Sequence, residues 1–212
     1  MLEALKIYLR HKPNWFYGVL LLSGLIYCLQ TGALWTHWHL VLIVLALTPF
    51  IEYFTHKYVL HMPQPEQPKE QKVWAFVADR IHYLHHQDPK KVAHIFAEIW
   101  MTLPVLLLDL LIFWLMTWDL SQMMVLSTTL VAYFLVYEWT HFVAHFDGYT
   151  PRNAYGKFLK KYHLWHHYKN EDYWYGITSP IADWFFGKWQ DPHAIGVSEL
   201  ALSNRQKRSQ LK

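Results

Sequence analysis

Residues 122–145 read QMMVLSTTLVAYFLVYEWTHFVAH, a run with no lysine or arginine and a single acid, Glu138. At the α-helical rise of 1.5 Å per residue such a run extends about 36 Å, enough to cross a hydrocarbon core of about 30 Å. It closes on His141 and His145, which are four apart and therefore share one helical face. An apolar span that delivers two imidazoles at its end is an unusual combination, because a soluble core helix has no need of either its length or its histidines.

Three more apolar runs lie upstream. Residues 15–35 carry no charge and are bounded by Trp15 and Trp35, residues 37–55 contain Pro49 and have Glu52 near their end, and residues 95–118 contain Pro104 and Asp109. Tryptophans at both ends of a run suit the two interfaces of a bilayer. The links around Thr36 and Asp119 are a few residues long, as antiparallel neighbouring helices allow. The expected fold class is all-α. It is an integral membrane protein whose four transmembrane helices form two hairpins, with a helical cap built from residues 56–94 and 146–194. A basic tail over residues 195–212 is expected to be solvated, and the whole chain to be one domain. Asp109, deep in its run, is expected to serve helix pairing.

Composition agrees with this division. The chain of 212 residues is 53% hydrophobic and 18% aromatic, too apolar for an ordinary soluble domain. Its mean hydropathy of only +0.02 requires a substantial polar portion beside the spans. The single cysteine, Cys28, removes a disulfide framework and thiolate metal ligation, so any metal must be held by nitrogen or oxygen. No removable signal peptide is expected. No phosphate-binding glycine loop or nucleophile elbow occurs, and nucleic-acid binding has no support, because the basic residues follow the membrane side.

Lysine and arginine collect on the cytoplasmic side of short membrane loops. Three lie before residue 15, six between His56 and Ala97, and ten after His145, which accounts for all 19. The links around Thr36 and Asp119 have none. The N-terminus, the middle segment and the C-terminal segment are therefore expected in the cytosol. The membrane would be the inner membrane of a bacterium or the endoplasmic reticulum of a eukaryote.

Ten of the 15 histidines fall into four groups: His56 and His61; His82, His85 and His86; His141 and His145; His163, His166 and His167. Spacings of three and four put each triplet, and the third group, on one helical face. His56 and His61 are five apart, which does not align on a regular helix, so His61 is expected where the helix ends before Met62-Pro63. The charge-derived topology brings all four groups to one side of the membrane, a result that the spacings did not assume. Neutral imidazole ligates iron, zinc, copper or nickel, and ten nitrogens suit two ions with about five each. His11, His37, His39, His94 and His193 lack such spacing and are left out of the ligand set.

A metal-bound imidazole usually donates its other nitrogen to a carboxylate or a carbonyl. Glu52, four before His56, Glu138, three before His141, and Asp79, three before His82, are candidates for such support, as is Asp183 beyond the last triplet.

The run Glu52-Tyr53-Phe54-Thr55-His56-Lys57-Tyr58-Val59-Leu60-His61-Met62 resembles the first histidine box of the membrane fatty acid hydroxylases within the fatty acid hydroxylase and sterol desaturase superfamily. His82-Tyr83-Leu84-His85-His86, His141-Phe142-Val143-Ala144-His145 and His163-Leu164-Trp165-His166-His167 are similar to the second, third and fourth boxes. The stretch from Tyr175 to Pro180, through Asp183 and Phe186-Gly187, is similar to the family's C-terminal signature. The resemblance implies a dinuclear iron centre in a four-span fold, with zinc also able to occupy it in purified protein. It further implies molecular oxygen as co-substrate and hydroxylation of a lipid acyl chain, often at the 2-position. Electrons must come from a partner. Several eukaryotic relatives carry a fused cytochrome b5 domain, for which there is no room before the first span, so a separate cytochrome b5, ferredoxin or similar donor is expected.

A desaturase or oxidase acting on sterols, carotenoids or another lipid is the alternative within the same chemistry, although the box spacings are closer to the fatty acid branch. A metal transporter would place its ligands near the bilayer midplane rather than at one face. A non-catalytic metal-binding membrane protein would carry the same ligands and differ only in having no open coordination position. The topology can be checked with cysteines introduced after replacement of Cys28. A membrane-impermeant maleimide added to intact cells should label Ser121→Cys at once and His193→Cys only after permeabilisation, and the reverse pattern would overturn the orientation.

Overall fold

The computed structural model describes residues 1–62 and 82–210, with side chains described as far as residue 207; among these residues the chain is helical and has no strand. Asp79 lies outside the described residues. The order is α1 (Leu2–Arg10), α2 (Lys12–Gln30), α3 (Ala33–Thr36), α4 (Trp38–Phe54), a π-helical turn (Thr55–Leu60), α5 (Leu84–Gln87), a 3₁₀ turn (Val92–His94), α6 (Ile99–Thr117), α7 (Leu120–His145), α8 (Ala154–Tyr168), α9 (Ile181–Phe185) and α10 (Glu199–Gln210).

Three helical segments among the described residues are long and apolar enough to cross a membrane: Trp38–Leu60, Val92–Thr117 and Leu120–His145. The first expected run, 15–35, is interrupted. α2 begins earlier, with Pro13 in its first turn where the ring's fixed φ and missing N–H cost nothing, and it ends at Gln30. Gly32 then adopts a φ of +72°, which starts the separate short helix α3. The link between α6 and α7 is as short as expected. Trp118 closes α6 in the left-handed region and Asp119 Oδ1 accepts the Gln122 N–H at 2.9 Å, capping α7.

The contacts divide the chain into two compact units, Met1–Thr48 with Ala97–Trp139 and Pro49–Phe96 with Thr140–Lys212. In the first unit Tyr17, Leu106 and Val131 form one buried cluster and Cys28, Ala33 and Val125 another. Tyr8 of α1 donates its hydroxyl hydrogen to Leu135 O at 2.7 Å, so the N-terminal helix is fastened to α7. Many other apolar side chains, among them Val105, Leu107, Leu108 and Leu111 of α6, are exposed. A continuous outward apolar surface is costly in water and suits hydrocarbon.

The second unit contains all ten grouped histidines. Tyr53, Tyr175 and Ala182 form one buried apolar cluster in it, with Phe50 packed against them. The segment expected as a solvated basic tail is instead α10, with Ala201 fully buried and Asn204 nearly so.

Within the first unit, Gly24 allows α2 to approach α7 closely. A Cβ there would sit inside van der Waals distance of Thr128 on α7. Gly24→Val is expected to destabilise the folded protein by about 1–3 kcal/mol through overpacking, seen as a lowered thermal midpoint in detergent, whereas Gly18→Val, which meets open space, should leave it unchanged.

Candidate metal centre

Local helix geometry sets out the histidines. The end of α4 widens into the π-helical turn Thr55–Leu60, closed by the His61 N–H on His56 O at 3.1 Å. A π turn bonds residues five apart, so the spacing that would misalign His56 and His61 on a regular helix brings them to the same side, and the helix ends at Leu60 with His61 as its cap, just before Met62-Pro63 as expected. His85 and His86 lie on α5, His141 and His145 on the last turn and a half of α7, and His163, His166 and His167 on α8.

The ten imidazoles gather in two groups of five: His56, His61, His82, His86 and His166; and His85, His141, His145, His163 and His167. Within each group the ligand atoms all lie within 4.8 Å of one another. Both triplets are divided. Residues four apart stay together, His82 with His86 and His163 with His167, while the third member, His85 or His166, joins the other group. Neighbouring rings also link the two groups: His86 stacks on His167 with centroids 4.0 Å apart. His94 belongs to neither group.

Every Nε2 in the two groups has an Nε2 neighbour at 2.8–3.1 Å. Protons cannot satisfy this arrangement. An Nε2 atom carries either one hydrogen or one lone pair, yet that of His82 faces His56 at 2.9 Å, His61 at 2.8 Å and His86 at 2.9 Å. Two nitrogens held at right angles on one ion, each about 2.1 Å from it, are separated by about 3.0 Å. The spacing therefore fits five lone pairs directed at a shared cation in each group. Burial, reinforced by neighbouring imidazoles, pushes His82, His85, His86, His163, His166 and His167 well below the ordinary histidine range. Neutral rings with free lone pairs are the form that a metal takes up.

Support behind the imidazoles comes from backbone carbonyls. His56 Nδ1 donates to Tyr175 O at 2.5 Å and His166 Nδ1 to Tyr173 O at 2.8 Å. Two of the expected acids hold the loop that presents those carbonyls. Asp183, fully buried on α9, accepts the N–H groups of Tyr175 at 3.0 Å and Gly176 at 2.6 Å. Glu52 accepts the Thr178 N–H at 3.1 Å and its hydroxyl at 2.7 Å, and also the Ile177 N–H. Gly176 is required because a Cβ there would run into the Ser179 carbonyl. Glu138 is buried but accepts the Ala97 N–H at 3.3 Å, and so anchors the start of the third span's segment rather than a ring.

Lys160 was not legible as a site residue. It lies one turn before His163, and its Nζ donates to the carbonyls of Val143, Phe146 and Tyr149, each at 2.8 Å. A cation there caps the C-terminal end of α7, the end that carries His141 and His145. The signal was a lysine among histidines, which sequence reading assigned to the basic side of the membrane.

A family model described as fatty acid hydroxylase matches residues 41–188. The chain is 30% identical over 146 residues to the dihydroceramide fatty acyl 2-hydroxylase FAH1 of Arabidopsis thaliana, covering 65% of this chain and 55% of that protein. It is 25% identical over 140 residues to the fatty acid 2-hydroxylase of Mus musculus, covering 65% of this chain and 36% of that one. The chain thus spans about half or less of the length of these relatives. A solved structure of full-length scs7p, of which only the hydroxylase domain is visible, superposes with a TM-score of 0.72 at 21% identity, over 87% of this chain and 69% of that one. That likeness concerns the fold.

Loading the purified protein anaerobically with ferrous iron or with zinc should give about two equivalents per chain by elemental mass spectrometry, since each five-histidine group suits one ion. His82→Ala and His145→Ala, one in each group, should each lower the count toward about one. Failure of the unaltered chain to bind either metal would overturn the metal assignment.

Proposed function

The chain belongs to the fatty acid hydroxylase family, and we propose that it hydroxylates a lipid acyl chain with molecular oxygen, using two iron ions held by the ten grouped histidines. The observation that carries this reading is the division of the histidines into two buried groups of five whose Nε2 atoms converge. The 2-hydroxylase names of the relatives favour the 2-position of the chain.

When bound, the metal pair supplies the oxidising chemistry: one oxygen atom of O₂ enters a C–H bond and the other leaves as water, with two protons and two electrons delivered by a separate donor. The protein's own residues do the rest. Ligation by the five histidines of each group alone would leave access for a small co-substrate while fixing the geometry. The Tyr175 and Tyr173 carbonyls hold His56 and His166, respectively, in one tautomer, with Nδ1 protonated and Nε2 free for metal. Tyr175 packs against His56, His61 and His166, and Tyr53 packs against Tyr175, so aromatic rings close this side of the centre to bulk water.

The acyl chain approaches from the bilayer. Phe54 and Tyr58, on the segment Trp38–Leu60, are exposed, as are Ile181, Trp184 and Phe185 on α9. Phe186 stacks on Tyr53 and packs against Phe54, which makes these two elements one apolar surface beside the histidines. α9 thus turns Asp183 inward to the loop behind His56 and turns Trp184 and Phe185 outward, where lipid suits them better than water. We assign the four apolar runs, α2 included, to the bilayer, and the histidine centre to its cytosolic face, on the strength of the charge distribution.

The test is lipid mass spectrometry of iron-supplied cells that express the chain, beside cells expressing His166→Ala or His85→Ala, which remove one ligand from each group. A hydroxylated acyl product present with the unaltered chain and reduced at least about 100-fold in both variants is expected, as loss of a ligand removes the centre's geometry. Unchanged acyl lipids from a chain that holds two irons and is co-expressed with a cytochrome b5 or ferredoxin donor would overturn the assignment.

A further inference from the structure

Helix α10 begins well after residue 188, where the family match ends, and nothing in its polar sequence points to the histidines. Its start is pinned by Ser198, whose N–H donates to Lys169 O at 3.0 Å and whose hydroxyl accepts the Ala201 N–H at 3.1 Å and bonds Glu171. One turn further on, Asn204 is 2% exposed and its Nδ2 donates to two carbonyls, His86 O at 2.7 Å and His167 O at 3.3 Å. Arg205 Nε donates to Tyr168 O at 2.6 Å and Lys207 Nζ to Gln87 O at 3.0 Å.

The four accepting carbonyls share one property. They belong to the last turns of α5 and α8, where a helix leaves its carbonyls without intrahelical partners and where cationic or amide donors are favoured. One face of α10 therefore caps two helix ends at once. The two carbonyls taken by Asn204 belong to histidines from different groups, His86 from the first and His167 from the second, and the rings of those two residues stack on each other.

We propose that Asn204 is a positioning residue of the dinuclear centre: its amide ties the backbone of one metal's ligand to that of the other's, and so sets the spacing of the two ligand groups. The inference rests on the reading of the histidines as metal ligands. Arg205 and Lys207 also fix α10 to these helix ends, but the carbonyls they bond, of Tyr168 and Gln87, do not belong to the grouped histidines. Asn204 bonds the backbone of two ligand residues, from inside the protein, while Ser198 already anchors the helix.

The experiment uses the full chain and cobalt(II) as a spectroscopic probe. Purified protein, and the variants Asn204→Leu, Asn204→Gln and Ser198→Ala, are titrated with cobalt while the visible ligand-field absorption is read. Asn204→Leu, which keeps volume and removes both donors, should bind cobalt about 10–100-fold more weakly with a changed absorption envelope. Asn204→Gln, which keeps the amide, should restore most of the affinity, and Ser198→Ala, which loosens α10 without touching a histidine, should keep the unaltered spectrum. Should the leucine variant not fold, Asn204→Ser, too short to reach both carbonyls, is expected to show the same weakening. Unaltered affinity and spectrum in a folded Asn204→Leu or Asn204→Ser, or the same change in Ser198→Ala, would overturn the proposal. Absence of cobalt binding by the unaltered chain would instead overturn the metal reading beneath it.

Discussion

Gathering ten imidazoles out of water is unfavourable until something accepts their lone pairs. Each ring must be desolvated, and in a low-dielectric interior an unmet polar nitrogen costs on the order of 1–3 kcal/mol. Rings facing one another at 2.8–3.1 Å through their Nε2 atoms cannot be satisfied by exchanging protons, because one of them has three such neighbours. One cation in each group would remove the difficulty at once. The arrangement of the second unit follows from that requirement: short helices that end at the centre, a π-helical turn in a long one, and a loop held by two buried acids. Each places a ligand, or braces the element that does.

The π-helical turn illustrates how a local cost is offset by a site. A regular α-helix through residues 55–60 would have kept better hydrogen bonds but would have rotated His61 away from His56. The widened turn preserves a backbone bond, His61 N to His56 O, while bringing both rings to the first group. Lys160 solves a related problem at α7. The last carbonyls of a helix that ends inside a protein need donors, and one ammonium with three hydrogens meets that of Val143 in the last turn, that of Phe146 just past it and that of Tyr149 in the loop beyond.

Much of this was legible in the sequence, and the limits were physical. Spacings of three and four told which histidines share a helical face, and runs without charge told which helices suit a bilayer, because both depend only on helix period and length. The division of each triplet between two groups was not legible, since it depends on where the helices cross. The run 15–35 was read as one helix because nothing in its hydropathy marks the change of direction that Gly32 makes. The tail was read as solvated because it lacks an apolar stripe. Its helix is held largely by polar donors to the ends of other helices, and backbone carbonyls, which every residue has, leave no trace in a sequence.

The carboxylates show the same limit and suggest why they stand where they do. An acid bonded directly to each ring would have brought several negative charges into contact with the ligands. Here Asp183 is one peptide further away, and Glu52 holds the next part of the same loop. Asp183 accepts the N–H of Gly176, which shares its peptide group with the carbonyl of Tyr175, and that carbonyl accepts from His56, so a carboxylate, a peptide and an imidazole form a continuous line of hydrogen bonds. Polarised in this way the peptide carbonyl is a stronger acceptor, which raises the basicity of the ring it holds. Two negative charges near the centre also offset part of the charge that a pair of divalent ions with neutral ligands would bring into a buried space. The acids thereby serve the charge balance of the centre and the rigidity of the loop together, and neither function requires them to touch a histidine.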